Sequence, residues 1–170
     1  IYGNYTNRVL SLIDKYYEGK IPNPDKMNHD DTKILSEVIS QKNDIESNLN
    51  EFKFREALKS LINIARIGNK FLADTEPWKI KNDNPERVEQ ILKTSFEIVS
   101  YLAILSEPFI PYTSEKLKKM IGINKSEWSN LDNLTNEIDF NFTITNKEML
   151  FRRIEDSEIE FQINKLKNGD

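Results

Sequence analysis

Asn4, Arg8, Ser11 and Lys15 recur at steps of four, three and four, a spacing that sets them along one face of an α-helix. An amide one turn before a guanidinium can hydrogen-bond the edge of a nucleobase and its phosphate together. The alternative is a solvated ridge of the kind most amphipathic helices carry, although Asn has poor intrinsic propensity in mid-helix. A second group is Thr75-Glu76-Pro77-Trp78-Lys79. Proline fixes its own φ and restrains the residue before it, so Trp78 is held at a defined angle just past a helix end. An indole so held either packs into the core or, beside the basic Lys70, Lys79 and Lys81, offers a face on which an unstacked base can lie. The paired acids Asp30-Asp31 and Glu155-Asp156 fall at expected helix starts, where capping and dipole effects account for them.

Catalytic groups are scarce. The only histidine is His29 and there is no cysteine, which excludes disulfides, thiolate metal sites and most triad chemistry. No glycine-rich phosphate loop is present, and neither catalytic nor metal-binding residues are assigned. The expected organisation is one domain over residues 1–170, long enough to bury a continuous core. Hydrophobic residues at 38% and charged residues at 31% suit a globular helical protein rather than a disordered chain. No apolar run approaches the ~18–20 residues that span a bilayer, so no membrane partner is expected and a cytoplasmic location is.

The net charge of −4 argues against a polyanionic partner until its distribution is examined. Residues 1–82 hold 13 basic and 12 acidic side chains, whereas residues 83–170 hold 11 and 16. From Lys53 to Lys81 there are seven basic residues against three acidic. A local basic face therefore survives inside an acidic chain.

The elements that must position these groups read mostly at helical period. Tyr2, Tyr5, Val9, Leu12, Ile13 and Tyr16 form the stripe of a first helix ending at Gly19; it lacks a capping residue, as expected of a piece cut from a longer protein. After the connection Lys20–Asp25, Asp30 or Asp31 is expected to cap a second helix to about Leu49, with Ile34, Leu35, Val38, Ile39 and Ile45 inward. A third begins near Phe52, carries Phe54, Leu58, Leu61, Ile62, Ala65, Phe71 and Leu72 on its core side, and stops at Glu76-Pro77. Asn84-Pro85-Glu86 opens the most apolar helix, through Leu105. Thr113-Ser114-Glu115 starts a short one to about Ile121, and Ser157 to Lys167 forms a terminal helix with Ile159, Ile163 and Leu166 on one side. Trp128 is assigned to packing. Alternation from Phe140 to Ile144 is a weak strand signal. The expected fold is an all-α antiparallel bundle of about five to six helices with a small irregular or β segment before the last.

Several segments resemble one family. Asn4-Tyr5-Thr6-Asn7-Arg8-Val9, continuing to Tyr16-Tyr17-Glu18-Gly19-Lys20-Ile21-Pro22, is similar to the opening helix of the anticodon-binding domain of methionyl-tRNA synthetases, which are class I aminoacyl-tRNA synthetases. Ala65 to Lys79, with Asn69-Lys70-Phe71 before Pro77-Trp78, resembles the most distinctive segment of that domain. Leu102 to Pro111, Thr113 to Leu117, and Leu150-Phe151-Arg152-Arg153-Ile154-Glu155 follow in the same order. The resemblance covers nearly the whole chain.

It implies recognition of the CAU anticodon stem-loop of tRNA(Met), with Trp78 stacking on a base, Asn4 and Arg8 reading the first anticodon base, and Pro77 setting the indole. Lys15, Lys70, Lys79 and Lys81 become candidate contacts to the tRNA backbone. The signatures HIGH and KMSKS are absent from this sequence, as is a cysteine-bearing zinc knob. The resemblance therefore implies a recognition module without cofactor of its own. ATP, and zinc where such a knob exists, would belong to the parent methionine–tRNA ligase, whose catalytic domain is the module's other partner. A protein-interaction bundle, or the anticodon domain of a leucine, isoleucine or valine synthetase, is the alternative.

Overall fold

The computed structural model describes residues 1–123, 128, 131, 134 and 138–168. Their helices are α1 (Tyr2–Tyr17), α2 (His29–Asn50), α3 (Phe54–Thr75), the single turn α4 (Pro77–Ile80), α5 (Pro85–Leu105), α6 (Pro111–Met120) and α7 (Asp156–Asn168). The fold is the expected all-α bundle, with α5 at its centre: every residue from Ile91 to Leu105 is buried. That follows from its start signal, since the Asn84 side chain accepts from the Arg87 amide at 3.1 Å and Pro85 occupies the first turn. Helices α1, α2, α3, α4 and α6 pack around it.

The expected elements shift in several places. Asn28, not Asp30 or Asp31, caps α2, accepting from the Asp30 amide at 2.8 Å. Asp31 is instead fully buried and takes both nitrogens of the Arg87 fork, at 2.5 and 2.8 Å. That charge and Lys42 occupy inward positions of α2 together with Val38 and Ile45, while Ile34, Leu35 and Ile39 are only partly buried. Phe54 and Leu58, expected in the core, are exposed, because the first turns of α3 bury the side that carries Ala57 and Leu61 instead. The fifth major helix, α6, starts at Pro111, two residues before the expected Thr113, since Pro is favoured at a first helical position.

The alternation at Phe140–Ile144 yields no strand among the described residues, only one antiparallel bridge, Lys20 to Thr143. It is held where the Ile144 amide donates to the Gly19 carbonyl at 2.9 Å. Gly19 has φ +79°, and a Cβ there would meet the Ile144 carbonyl oxygen at 2.4 Å, so a side chain fits neither the backbone nor the contact. Trp128 is partly buried against the core, as assigned. The apolar residues of α7, Ile159, Ile163 and Leu166, are exposed rather than buried in the core. No helix among the described residues is long and apolar enough to cross a membrane.

Candidate nucleic-acid interface

Helix α1 supplies the polar ridge and the turn α4 supplies the indole. Tyr2, Tyr5, Val9 and Ile13 of α1 are buried, joined by Thr6 and Leu10 rather than by Leu12 and Tyr16, which are partly exposed. The opposite face therefore turns Asn4, Arg8, Ser11 and Lys15 outward. At the end of α3, Glu76 takes a left-handed conformation (φ 40°), its amide closing on the Leu72 carbonyl at 3.1 Å, and Pro77 begins α4 at once. Pro77 is buried and Trp78 is 39% exposed. The proline is thus the anchor and the indole is the part shown to solvent.

Contacts progress along α1 and along α3 and α4 in the same direction. Tyr5 lies on Gly68. One turn later the Arg8 guanidinium sits 5.5 Å from the Trp78 ring centroid, within cation–π range. Its Nη1 also donates to Asn69 Oδ1 at 3.5 Å. Two turns further, Lys81 Nζ donates to the Tyr17 hydroxyl at 3.1 Å and lies 4.2 Å from that ring's centroid. Burial pushes the Tyr17 phenol above its ordinary range against the opposing pull of Lys81.

The structure thus brings Arg8 and Trp78 together. Asn4 is exposed one turn before Arg8 and borders a cleft whose far wall includes Met149 and Phe151. The Tyr2 and Phe151 rings meet edge to face at 5.8 Å, so Phe151 lies against the start of α1, while residues 152–155 are exposed. The four lysines divide. Lys70 pairs with Asp74 at 3.7 Å and Lys79 with Glu76 at 2.8 Å, each within its own stretch of chain. Lys15 and Lys81 have no carboxylate partner among the described residues.

Asn69 was not singled out from the sequence as a site residue. Its side chain holds the Arg8 guanidinium and donates back to the Ala65 carbonyl at 2.8 Å and to the Ile1 carbonyl at 3.4 Å. The available signal was like the one that marked Asn4, an amide in mid-helix about one turn from a basic side chain, here Arg66. Among the described residues, no three of His, Asp or Glu converge as metal ligands would. The arrangement can do no bond-making chemistry that its side chains reveal; it offers a flat aromatic face, a planar cation against it, and an amide one turn away.

The family model described as the anticodon-binding domain of methionyl tRNA ligase matches residues 21–168. That span includes Pro77 and Trp78 and leaves out α1. The methionine–tRNA ligase of Bacteroides fragilis is 43% identical over 166 residues, 98% of this chain and 24% of that protein. The methionine–tRNA ligase of Flavobacterium psychrophilum is also 43% identical, over 167 residues. The chain thus spans about a quarter of the length of the curated relatives it matches. In fold it is similar to the apo methionyl-tRNA synthetase of Mycobacterium tuberculosis, with TM-score 0.81, 19% identity, 89% of this chain covered and 31% of that one.

Proposed function

The chain belongs to the family of anticodon-binding domains of methionyl-tRNA ligases, and from that premise we propose that it recognises the CAU anticodon loop of methionine tRNAs through Asn4, Arg8 and Trp78. The observation that carries this reading is the Arg8–Trp78 pair, 5.5 Å apart at the surface. RNA sequence is read mostly from unstacked loop bases that lie on aromatic or guanidinium planes and expose their edges to hydrogen bonding. One base lies on the Trp78 indole, whose angle Pro77 sets. The Arg8 guanidinium and the Asn4 amide, one turn apart, then supply donors and an acceptor to a base edge, with Asn69 Oδ1 accepting a long hydrogen bond from the guanidinium at 3.5 Å. The partial exposure of Trp78 is what a core role in a protein-interaction bundle would lack.

The module's mechanism is equilibrium recognition. Activation of methionine with ATP and its transfer to tRNA fall to the catalytic remainder of the polypeptide, a domain this chain does not contain, and the cytoplasm, where translation runs, is the compartment that fits. Binding by the chain alone is weak and salt-sensitive, because much of the affinity for RNA comes from phosphate contacts. The test compares affinity for CAU and GAU stem-loops, with and without Trp78→Ala. A preference for CAU that disappears in the variant supports the reading, and equal affinity of the unaltered chain for both loops sinks it.

A further inference from the structure

We propose that Tyr16, Lys15 and Lys81 form a second nucleotide contact, in which the two ammonium groups hold a phosphodiester and the Tyr16 ring carries the sugar or base of a loop nucleotide near the one on Trp78. This rests on the RNA-binding reading above. Three observations point to it. Lys15 Nζ and Lys81 Nζ both lie 5.5 Å from the centroid of the same Tyr16 ring. Among the described residues neither lysine has a carboxylate within ion-pair distance, whereas Lys70 and Lys79 are tied to Asp74 and Glu76. Glu89 acts electrostatically on the neighbouring Tyr17 without reaching Lys81 as an ion pair.

Each ammonium is 5.5 Å from the Tyr16 centroid, so the two charges repel each other, and the ring offsets only part of that. A phosphodiester bound beside them reduces the repulsion. The placement also repeats the one at Trp78. Arg8 and Lys15 share a face of α1 two turns apart, roughly 10 Å along the axis, and Trp78 and Lys81 are three residues apart on and just past α4. Arg8 lies against Trp78 as Lys81 lies against Tyr16 and Tyr17. The result is two cation–aromatic rungs along one seam between α1 and α4, spaced so that a single strand can engage both. Tyr16 is partly buried against the core, which fixes the ring, and the hydrogen bond from Lys81 to the Tyr17 hydroxyl fixes the ammonium.

The experiment measures binding of the 170-residue chain to a fluorescent CAU stem-loop across a salt series, with a GAU loop in parallel. For Lys15→Gln with Lys81→Gln, affinity is expected to fall about tenfold and the slope of log affinity against log salt to shrink by about one, with the CAU-to-GAU ratio kept. For Tyr16→Leu a loss of about fivefold or more is expected with the slope unchanged, because stacking releases no counterions. Lys81→Arg, which keeps the charge, retains the parent slope, and thermal melts of each variant separate lost contacts from lost fold. A double lysine variant that melts like the parent and binds with the parent's affinity and slope overturns the proposal. In that case a surviving CAU preference leaves the Asn4, Arg8 and Trp78 reading standing, and it is loss of that preference in the unaltered chain that would remove the reading itself.

Discussion

Gly68 of α3 lies directly under the ring of Tyr5 of α1: a Cβ added at Gly68 would stand 2.3 Å from Tyr5 Cζ. Tyr5 is fully buried, and its hydroxyl donates to the Ser95 carbonyl of α5 at 3.1 Å, so the ring passes over α3 to reach α5 and has no room to retreat. Gly68→Ala should therefore destabilise the domain despite gaining helix propensity. The overpacking term is about 1–3 kcal/mol and the ring is pinned, which places it at the upper end. The propensity gain of about 1 kcal/mol offsets part of it. A net loss of roughly 1–2 kcal/mol in urea unfolding is expected. Because α1 must shift to admit the methyl group, Arg8 should also leave Trp78 and loop binding should weaken in parallel. A variant as stable as the parent would contradict this account.

The Asp31–Arg87 pair joins α2 to α5, and Arg87 also donates to Gln90, whose amide donates to the Lys26 carbonyl in the connection before α2. Removing one partner of a buried, bidentate pair strands a charge, at about 3–5 kcal/mol. Asp31→Ala should sit at that scale in chemical denaturation. The double change Asp31→Leu with Arg87→Met should recover much of the loss, since apolar packing can replace a buried pair. If the double variant is as unstable as the single, the pair contributes more than its desolvation implies.

The helices and their central member were legible because periodicity and the Asn84-Pro85 signature act locally, within a turn or two of the residues they govern. Trp78 and Pro77 were legible for the same reason: proline fixes backbone angles whatever the rest of the fold does. Asp31 was not, because a carboxylate two residues into a helix looks alike whether it serves the dipole or a guanidinium 56 residues away. Phe54 and Leu58 carried an inward pattern, yet the first turns of α3 bury Ala57 and Leu61, and which side a helix end turns inward is decided by the elements packed on it, which no local pattern encodes. The division among the four lysines was partly hidden. Lys70–Asp74 and Lys79–Glu76 are sequence neighbours whose pairing could have been counted from their spacing, and Lys15 lies next to Tyr16 in α1, whereas the approach of Lys81 to Tyr16 and Tyr17 exists only in the packed fold.

Alkaline pH should unfold the domain through its buried phenols. Burial drives the Tyr2 hydroxyl up to about 12 and raises that of Tyr5 as well, each opposed in part by a hydrogen bond. A group whose folded value is raised gives stability that is complete below the unfolded value, near 10, and is lost as pH climbs toward the folded one. For Tyr2 the loss amounts to roughly 3 kcal/mol between about pH 10 and 12. Urea unfolding at pH 8, 10 and 11.5 should show flat stability over the first interval and a decline over the second. Tyr2→Phe, which keeps the ring but not the titrating hydroxyl, should flatten part of that decline. An equal slope in parent and variant would show that Tyr2 ionises without cost.

Among the described residues Arg8 lies against the Trp78 face at 5.5 Å and makes a long hydrogen bond to Asn69 at 3.5 Å. Both lie at the surface, where such interactions are worth at most about 1 kcal/mol. If its purpose is to present donors to a base edge, the cost of losing it belongs to RNA binding. Arg8→Ala should raise the dissociation constant for a CAU loop about 10- to 100-fold, the range of one specific base contact. Its melting temperature should move by only a few degrees. Arg8→Lys sharpens the point, because lysine keeps the charge and loses the planar fork that both lies against an indole and hydrogen-bonds a base edge. That variant should retain the parent's salt dependence while losing discrimination between CAU and GAU loops. If Arg8→Ala instead lowers the melting temperature steeply and binds in proportion to the folded fraction, Arg8 is a structural residue and the Trp78 face acts without it.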